Sequence, residues 1–300
     1  MRIAVPPKRP MVRDQDMTIE KTFSPLDAKL RPPPGINEEQ LKQWNAYYEP
    51  RNKAFQEAKL TGKDLVRWRY NRYMHDYLGC VKAVDDAVGK LLKFLDDEGL
   101  AKNTLVMYCS DQGFYLGEHG WFDKRWIFEE SLRTPLLARW PGVTKPGTVD
   151  RHLVSTVDIA ETFLDAAGVS IPDDMQGRSL VPLLKGEDPK DWRKSFYYEY
   201  FEYPQPHHVM PHYGVVTDRF KLVRFFVPKA DGKADPDYWE LYDREKDPNE
   251  TKDFSKDPAY AEEVKKLKAE LERLRKELKV PDQHPKEAYG SLLMPKKKKN

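Results

Sequence analysis

The sequence predicts an α/β domain followed by a smaller domain built around an antiparallel sheet. Apolar side chains recur at steps of three and four over residues 64–98, which is the pattern of an amphipathic helix, and Gly99 ends it. An apolar run rich in strand formers follows at residues 104–109, and this order of helix, tight turn and buried strand is typical of a domain with a mostly parallel sheet. After about residue 190, short aromatic segments separated by turn residues replace long helices, which favours antiparallel pairing.

The remaining elements follow from the same two periodicities. Residues 135–140 are a second candidate strand, and residues 155–167 are a helix that ends at Gly168. The C-terminal region contains four candidate strands, at residues 196–201, 213–217, 220–227 and 238–242. A last helix over residues 258–279 has leucines spaced four and three apart, and a single helix of this length more often lies on a sheet than in a coiled coil.

The composition of the chain predicts four regions. Residues 1–60 are rich in proline and weakly periodic, so we expect an extended arm with at most a short helix over residues 38–48. Residues 61–190 are assigned to the α/β domain and residues 191–285 to the antiparallel subdomain with its helix. Residues 286–300 end in a basic run and are expected to be a disordered, solvated tail.

Charge and cysteine content exclude several classes of protein. The chain has 51 Lys and Arg against 49 Asp and Glu, and a net charge of +2 gives no global electrostatic reason to expect nucleic-acid binding. Two cysteines cannot build a disulfide framework or a four-thiolate zinc site. No run approaches the roughly 20 apolar residues of a membrane span, and the first ten residues lack the apolar core of a signal peptide.

The densest group of chemically active side chains lies between residues 110 and 133, directly after the first predicted strand. Asp111 and Gln112 offer hard oxygen donors of the kind that bind Ca²⁺ or Mg²⁺, at the strand end where ligands bind in open α/β sheets. Two donors are too few, because calcium takes six to eight oxygens, and Asp-Gln-Gly is also ordinary turn chemistry. His119 reads equally as a hydrogen-bonded loop histidine and Lys124 as a surface lysine, so the residues alone indicate a candidate metal or anion site.

Several motifs resemble the C-terminal half of a type I sulfatase. The motifs are Ser110-Asp111-Gln112-Gly113, Leu116-Gly117-Glu118-His119-Gly120, Asp123-Lys124 and Leu132-Arg133-Thr134-Pro135-Leu136, in the order and spacing of that family. Segments at residues 84–89, 157–160, 176–180 and 240–243 agree, so the resemblance covers roughly residues 70–255. It implies part of an alkaline-phosphatase-like α/β sandwich plus a smaller domain of antiparallel sheet and helix.

The resemblance also implies roles for individual residues. Asp111 and Gln112 match the later pair of calcium ligands, Mg²⁺ being an alternative ion, and Lys124 matches a lysine that contacts the sulfate. Fixed cations stabilise the negative charge that develops as a sulfate ester is cleaved. His119 lies in the same loop and is expected either to act at the site or to orient the loop.

Other elements of the family pattern are missing from this sequence. The family's formylglycine nucleophile arises from Cys or Ser in a C/S-x-P-x-R motif, and neither Cys80 nor Cys109 is followed by Pro and Arg at that spacing. We therefore predict that both cysteines are buried and structural. The two upstream metal aspartates are also missing, so the chain is interpreted as the C-terminal part of a sulfatase, expected to bind calcium weakly or not at all and to be inactive alone.

The substrate class rests on fewer residues. The segment from His207 to Gly214 looks closest to sulfatases of sulfated sugars such as N-acetylglucosamine-6-sulfatases, and zinc is disfavoured because adjacent histidines lack the usual ligand spacing. Trp121, His208 and His212 are the candidates for binding the sugar, with structural packing as the alternative for each. A phosphoester hydrolase of the same superfamily and a non-catalytic fragment are the competing interpretations. The resemblance further implies that the parent protein is exported, to the periplasm, cell surface or lysosome.

Overall fold

The computed structural model describes residues 27–122, 124–203, 209–228 and 234–281. The chain divides into two compact units, the first formed by residues 1–101 and 114–124 and the second by residues 102–113 and 125–300. The helices of the first unit are α1 (Glu38–Ala58) and α2 (Gly62–Asp97). The second unit contains, in chain order, β1 (Val106–Cys109), α3 (Glu129–Leu132), β2 (Leu136–Arg139), α4 (Asp158–Ala166), α5 (Val181–Leu184), β3 (Ser195–Tyr200), β4 (His212–Thr217), β5 (Phe220–Pro228), β6 (Ala234–Asp243) and α6 (Ala261–Glu277).

Helix α1 is longer than the short helix predicted for residues 38–48. It begins with a capping box, in which the Asn37 side chain accepts from the Gln40 amide and the Gln40 side chain accepts from the Asn37 amide, at 2.9 and 3.0 Å. The helix continues through Pro50 for another two turns. Tertiary contacts support this continuation, because Phe55 stacks on Trp68 of α2 with ring centroids 3.8 Å apart.

Helix α2 confirms the helical pattern of residues 64–98 but buries only part of the predicted apolar face. Tyr70 and Met74 are buried, and they pack with the partly buried side chains of Val66, Tyr73, Tyr77, Leu116 and Phe122. Five large apolar side chains further along the helix are exposed, and these are Leu78, Val81, Val84, Leu91 and Phe94. Others of the predicted apolar face, among them Val88 and Leu95, are partly buried.

Strands β1 and β2 form a two-stranded antiparallel sheet, with register from Val106 opposite Arg139 to Cys109 opposite Leu136. The mixture of helices and sheets confirms the α/β class, whereas the parallel pairing expected here does not occur among the described strands. Tyr108 and Leu137 are 37% and 65% exposed, so the sheet is not covered on both sides. Parallel strands are usually joined by a crossover helix, whereas the described part of the connection between β1 and β2 contains a short 3-10 turn at Glu118–Gly120 and the four-residue α3.

The prediction that both cysteines are buried is wrong. Cys80 and Cys109 are free thiols on exposed residues. Cys80 lies on the uncovered part of α2, and Cys109 lies in the half-covered sheet of β1 and β2. The prediction assumed that both elements were enclosed, and in the described residues neither is.

The four C-terminal strands confirm the predicted antiparallel sheet. They are ordered β3-β4-β5-β6, and every neighbouring pair is antiparallel. Helix α6 lies on this sheet, as predicted, because its buried leucines join one core with side chains from the strands. That core contains Tyr213, Val215, Leu222, Leu241, Phe254, Tyr260, Leu267, Leu271 and Leu274.

A buried carboxylate at the end of β6, that of Asp243, makes the stability of this sheet depend on pH. Asp243 is fully buried, and its oxygens accept from Arg219 Nε and Nη2 at 3.0 and 2.8 Å and from the Tyr260 hydroxyl at 2.8 Å. The hydrogen bonds from Arg219, then those from Tyr260, lower the pKa of Asp243 to about 2. Because the folded-state pKa is depressed, this stabilisation is present above the ordinary pKa near 4 and is lost as pH falls towards 2.

We therefore expect Asp243→Asn to lower the free energy of unfolding near pH 7 by about 2–3 kcal/mol, the scale of hydrogen bonds to a charged group. The difference between Asp243→Asn and the unsubstituted chain should shrink between pH 4 and pH 2. Urea unfolding followed by circular dichroism across that range measures it, with Asp218→Asn in the exposed β4–β5 turn as the control. A difference that stays constant with pH would show that the Asp243 charge does not stabilise the fold.

Candidate active site

The predicted metal ligands lie in a tight turn that follows β1. Asp111 is exposed and Gln112 is partly buried, two and three residues after the strand ends. The Ser110 hydroxyl donates to the Gln112 carbonyl at 2.7 Å, and the Gly113 amide donates to the Ser131 carbonyl at 2.7 Å. These bonds fix the backbone that carries Asp111 and Gln112.

Gly113 is required by the close approach of this turn to α3. A Cβ atom at this position would lie 2.0 Å from the Glu130 carbonyl oxygen and 2.8 Å from the Ser131 carbonyl oxygen. Neither backbone oxygen can move aside without disrupting α3, so only glycine fits. The Asp-Gln-Gly sequence is thus both turn chemistry and the support of the two candidate ligands.

The donor set fits calcium or magnesium in chemistry but is incomplete. Asp111 contributes a carboxylate and Gln112 an amide oxygen, which are the hard donors these ions prefer. Within residues 27–122, 124–203, 209–228 and 234–281 no group of three or more His, Cys, Asp or Glu side chains is arranged to hold a metal ion. An ion held by Asp111 and Gln112 therefore needs further oxygen ligands, because calcium takes six to eight.

His119 is a buried aromatic of the loop that precedes Lys124. It is 0% exposed and has φ of 57°, in the left-handed region that histidine adopts only where the surroundings hold it. Gly117 and Gly120 on either side also have positive φ, and the Gly117 amide donates to the Trp121 carbonyl at 2.8 Å. The loop is thus compact, and the His119 ring is buried within it.

Trp121 belongs to the same aromatic group. Its ring lies 5.4 Å from that of Tyr115, edge to face, and 5.5 Å from that of His119. Trp121 and Tyr115 are both 0% exposed. This burial favours the packing alternative for Trp121, and it makes His119 the centre of a rigid loop.

Lys124 lies at the end of the first unit and is partly buried. Asp123, the other residue of its motif, lies outside the described residues. Asp111 and Gln112 belong to the second unit, whereas His119, Trp121 and Lys124 belong to the first. The structure thus places the predicted residues in two groups, each well defined within its own unit.

The histidines proposed to contact sugar are of two kinds. His208 lies outside the described residues. His212 begins β4, is 1% exposed, and its Nδ1 lies 2.8 Å from the Met210 carbonyl oxygen. Its ring packs among four aromatic rings at centroid distances of 5.1 to 5.7 Å, those of Trp126, Tyr198, Tyr200 and Phe225. This position favours packing over direct contact with a ligand.

A buried ionic cluster within the second unit was missed by the sequence analysis. Lys221 of β5 is 0% exposed and contacts Glu129 and Glu250. Burial raises the pKa of Glu250 against the opposing effect of Lys221, whereas the Lys221 and Arg244 cations outweigh burial and lower the pKa of Glu129. Lys221 stands between Phe220 and Leu222, and a lysine in a strand ordinarily indicates a solvent-facing position. The partners are 29 and 92 residues away, which no local pattern reveals.

Two family models match the chain. A model described as N-sulphoglucosamine sulphohydrolase, C-terminal, matches residues 117–277, and the model described as Sulfatase matches residues 28–169. Together they span both described units and include every candidate site residue. The chain belongs to the sulfatase family.

Individual relatives agree with this assignment. An N-acetylglucosamine-6-O-sulfatase of Bacteroides thetaiotaomicron is 42% identical over 92% of this chain and 51% of its own length. A solved structure described as a complex with its substrate D-glucosamine-2-N,6-O-disulfate matches with a TM-score of 0.81 and 41% identity, covering 90% of this chain and 57% of the other. A phosphonate monoester hydrolase from Silicibacter pomeroyi matches with a TM-score of 0.63 and 27% identity, over 73% of this chain and 43% of its own. The chain thus spans about half the length of the relatives it matches.

Proposed function

We propose that the whole protein is a sulfuric ester hydrolase acting on sulfated carbohydrates, to which this chain contributes the C-terminal part of the active site. The observation that carries this proposal is the similarity over 90% of the chain to a structure that binds a disulfated glucosamine. N-Acetylglucosamine 6-sulfate and related glucosamine sulfates are the proposed substrates, from the name of the Bacteroides relative.

The proposed mechanism assigns charge stabilisation to this chain. Asp111 and Gln112 would hold a Ca²⁺ ion, which would supply fixed positive charge to the site, with Mg²⁺ as the alternative. The Lys124 ammonium would bind a sulfate oxygen as a point charge and stabilise the negative charge that grows in the transition state. His119 acts by holding the loop that carries Lys124, as its burial and left-handed backbone support. The chain encodes no formylglycine motif, so the nucleophile comes from outside residues 1–300.

The sugar site is proposed at Trp121, His208 and His212. Trp121 and His212 are buried, which supports the role of packing beneath the proposed sugar site rather than contact between their rings and the sugar. The regions 1–60, 61–190, 191–285 and 286–300 remain the proposed domain organisation. No nucleic-acid partner is proposed for the protein, because the net charge of the chain is only +2.

Export of the parent protein is proposed together with the sulfatase function. Among the described residues, no helix combines the length and apolar character needed to cross a membrane. The localisation therefore rests on the family resemblance, and reading the segment encoded upstream of Met1 for a signal peptide tests it.

Uncovered apolar surfaces support the proposal that additional polypeptide completes the fold. In the first unit, Val84, Leu91 and Phe94 of α2 are 48%, 54% and 53% exposed. In the second unit, β1 and β2 form a sheet of only two strands, which is marginally stable without further strands or covering elements. Surfaces of this kind mark sites of protein contact.

A chimaera tests the proposed function. The chain replaces the matched C-terminal part of the Bacteroides relative, which retains its own upstream half, and the chimaera is made in cells that generate formylglycine. We expect release of inorganic sulfate from N-acetylglucosamine 6-sulfate, with the upstream half alone and this chain alone as inactive controls. A chimaera that unfolds cooperatively but releases no sulfate contradicts the proposal.

The second candidate function is hydrolysis of phosphorus esters. The similarity to a phosphonate monoester hydrolase at a TM-score of 0.63 favours it. The same chimaera separates the two functions when it is given matched sulfate and phosphate esters.

A further inference from the structure

We propose that buried Lys221 is a positioning residue, which holds residues 125–132, here called the junction segment, in one orientation against the C-terminal sheet. The junction segment follows Lys124 directly, so for its catalytic consequence this inference rests on the proposed function. Its structural part stands on contacts within the second unit alone.

Lys221 bridges two carboxylates from distant parts of the chain. Its Nζ lies 2.6 Å from Glu250 Oε1 and 3.2 Å from Glu129 Oε1. The Glu129 carboxylate is also contacted by Arg244, whose Nη1 lies 2.7 Å from Oε1. The cluster thus contains two cations, Lys221 and Arg244, and two carboxylates, so its charges cancel. Within it, the side chains of Lys221 and Glu250 are 0% and 1% exposed.

Glu250 links this cluster to the backbone of the junction segment. Its Oε2 accepts from the Glu129 amide at 2.8 Å, so one carboxylate joins the β5 lysine to the first residue of α3. Glu250 has φ of 52°, a left-handed backbone conformation that is strained in a non-glycine residue. The surrounding turn holds it there, because the Glu250 amide donates to the Asp247 carbonyl at 3.0 Å.

The junction segment contacts all four strands of the sheet. The Tyr198 hydroxyl of β3 donates to the Arg125 carbonyl at 3.3 Å. Trp126 packs on His212 of β4 and Phe225 of β5, with ring centroids 5.5 and 5.9 Å away. Phe128 meets Tyr242 of β6 edge to face at 5.4 Å. The junction segment is therefore held on the sheet by the rings of Trp126 and Phe128 and by the ionic cluster at Glu129.

The energetics favour positioning as the role of Lys221. Buried ion pairs contribute little net stability relative to apolar residues of the same volume, because removing both charges from water is costly. Removing one partner leaves the other charge buried and unpaired, which displaces the groups around it. In this cluster the displaced group is Glu250, whose other oxygen holds the Glu129 amide.

The position of the junction segment limits the position of Lys124. Consecutive Cα atoms are 3.80 Å apart across a trans peptide, so the Lys124 Cα atom stays at that distance from the Arg125 Cα atom. Displacing a group that contacts the reacting atoms by about 1 Å can lower turnover about a hundredfold. A lysine that never contacts substrate can thus control the placement of one that is proposed to do so.

Amide hydrogen exchange on the chain itself tests the structural part. In Lys221→Met, we expect exchange of residues 125–132 to become at least about tenfold faster, because those amides are protected by the seated segment. Arg224→Met is the matched control, since Arg224 lies on the same strand but pairs with Asp237, 2.6 Å away, and with the Tyr213 hydroxyl, neither of which belongs to the junction segment. Unchanged exchange of residues 125–132 in Lys221→Met would overturn the inference.

A double variant covers the case in which Lys221→Met does not fold. Lys221→Met with Glu250→Met removes one charge of each sign and leaves no unpaired carboxylate in its place. We expect this variant to fold and still to exchange residues 125–132 faster than the unsubstituted chain. Exchange equal to that of the unsubstituted chain would contradict the positioning role.

Turnover by the chimaera tests the catalytic consequence separately. Lys221→Met is expected to lower kcat for sulfate release by about ten- to a hundredfold with little change in KM, while Arg224→Met leaves both unchanged. Full turnover together with faster exchange would show that Lys221 positions the junction segment but does not affect catalysis. A chimaera with no activity at all rejects the proposed function, and the exchange result still decides whether Lys221 positions the segment.

Discussion

Lys124→Ala in the chimaera is expected to lower the turnover of a sulfate ester by about 10²–10³-fold. Lys124 is proposed to act on the charge that develops on sulfate oxygens, an interaction stronger in the transition state than in the bound ester. The loss should therefore appear mainly in kcat, while the melting temperature changes little because Lys124 lies in a loop rather than in a helix or strand. Initial rates of sulfate release over a range of substrate concentrations measure the effect.

Two further variants sharpen this prediction. Lys124→Arg is expected to restore little turnover, because the guanidinium is larger and presents its donors in a planar fork. Lys145→Ala removes an equal charge from an exposed position and should leave turnover unchanged. Turnover in Lys124→Ala equal to that of the unsubstituted chimaera would remove Lys124 from the site.

Asp158→Ala is expected to lower the free energy of unfolding by about 3–5 kcal/mol, the usual effect of breaking a buried ion pair on one side. Asp158 opens α4, is 0% exposed, and accepts from the amides of Ser155 and Arg178 at 2.7 and 2.8 Å. Arg193 donates to both oxygens of this carboxylate, from Nη2 to Oδ1 at 2.6 Å and from Nη1 to Oδ2 at 2.5 Å. One carboxylate therefore joins α4 to two later segments of the chain.

Urea unfolding of the chain measures this loss, and Asp173→Ala on an exposed loop is the matched control, expected to change stability by less than about 0.5 kcal/mol. If Asp158→Ala were as stable as Asp173→Ala, then the bonds from Ser155, Arg178 and Arg193 would contribute nothing to the fold.

Periodicity predicted the elements whose burial depends on their own sequence. Helix α2, helix α6 and the C-terminal strands lie close to their predicted positions, since each presents an apolar repeat of the right period. The end of α2 was predictable because Gly99, with φ of 69°, adopts the left-handed conformation that glycine favours.

Features that depend on distant segments could not be predicted this way. The exposure of Cys80 and Cys109 reflects which segments cover α2 and β1, and no pattern within those elements reports it. Helix α1 continues past Pro50 because of contacts such as Phe55 on Trp68, which belong to tertiary packing. The residues alone indicated only a candidate metal or anion site at Asp111 and Gln112, since Asp-Gln-Gly is also common turn chemistry. The specific roles proposed for Asp111, Gln112 and Lys124 came from the family resemblance.

The buried lysine shows the same limit at the level of one side chain. A strand pattern places Lys221 on a face but does not tell whether that face meets solvent or a carboxylate. Its partners Glu129 and Glu250 lie in a short helix and a turn, and only the assembled sheet brings the three together.

The ratio of kcat/KM for a sulfate ester to that for the matched phosphate ester, measured with the chimaera, tests the central claim most directly. The proposed site has one metal ion held by Asp111 and Gln112 and one ammonium at Lys124, and we expect such a site to prefer the sulfate ester. Lys124→Ala should reduce that preference. A chimaera that hydrolyses the phosphate ester at least as efficiently as the sulfate ester would contradict the account.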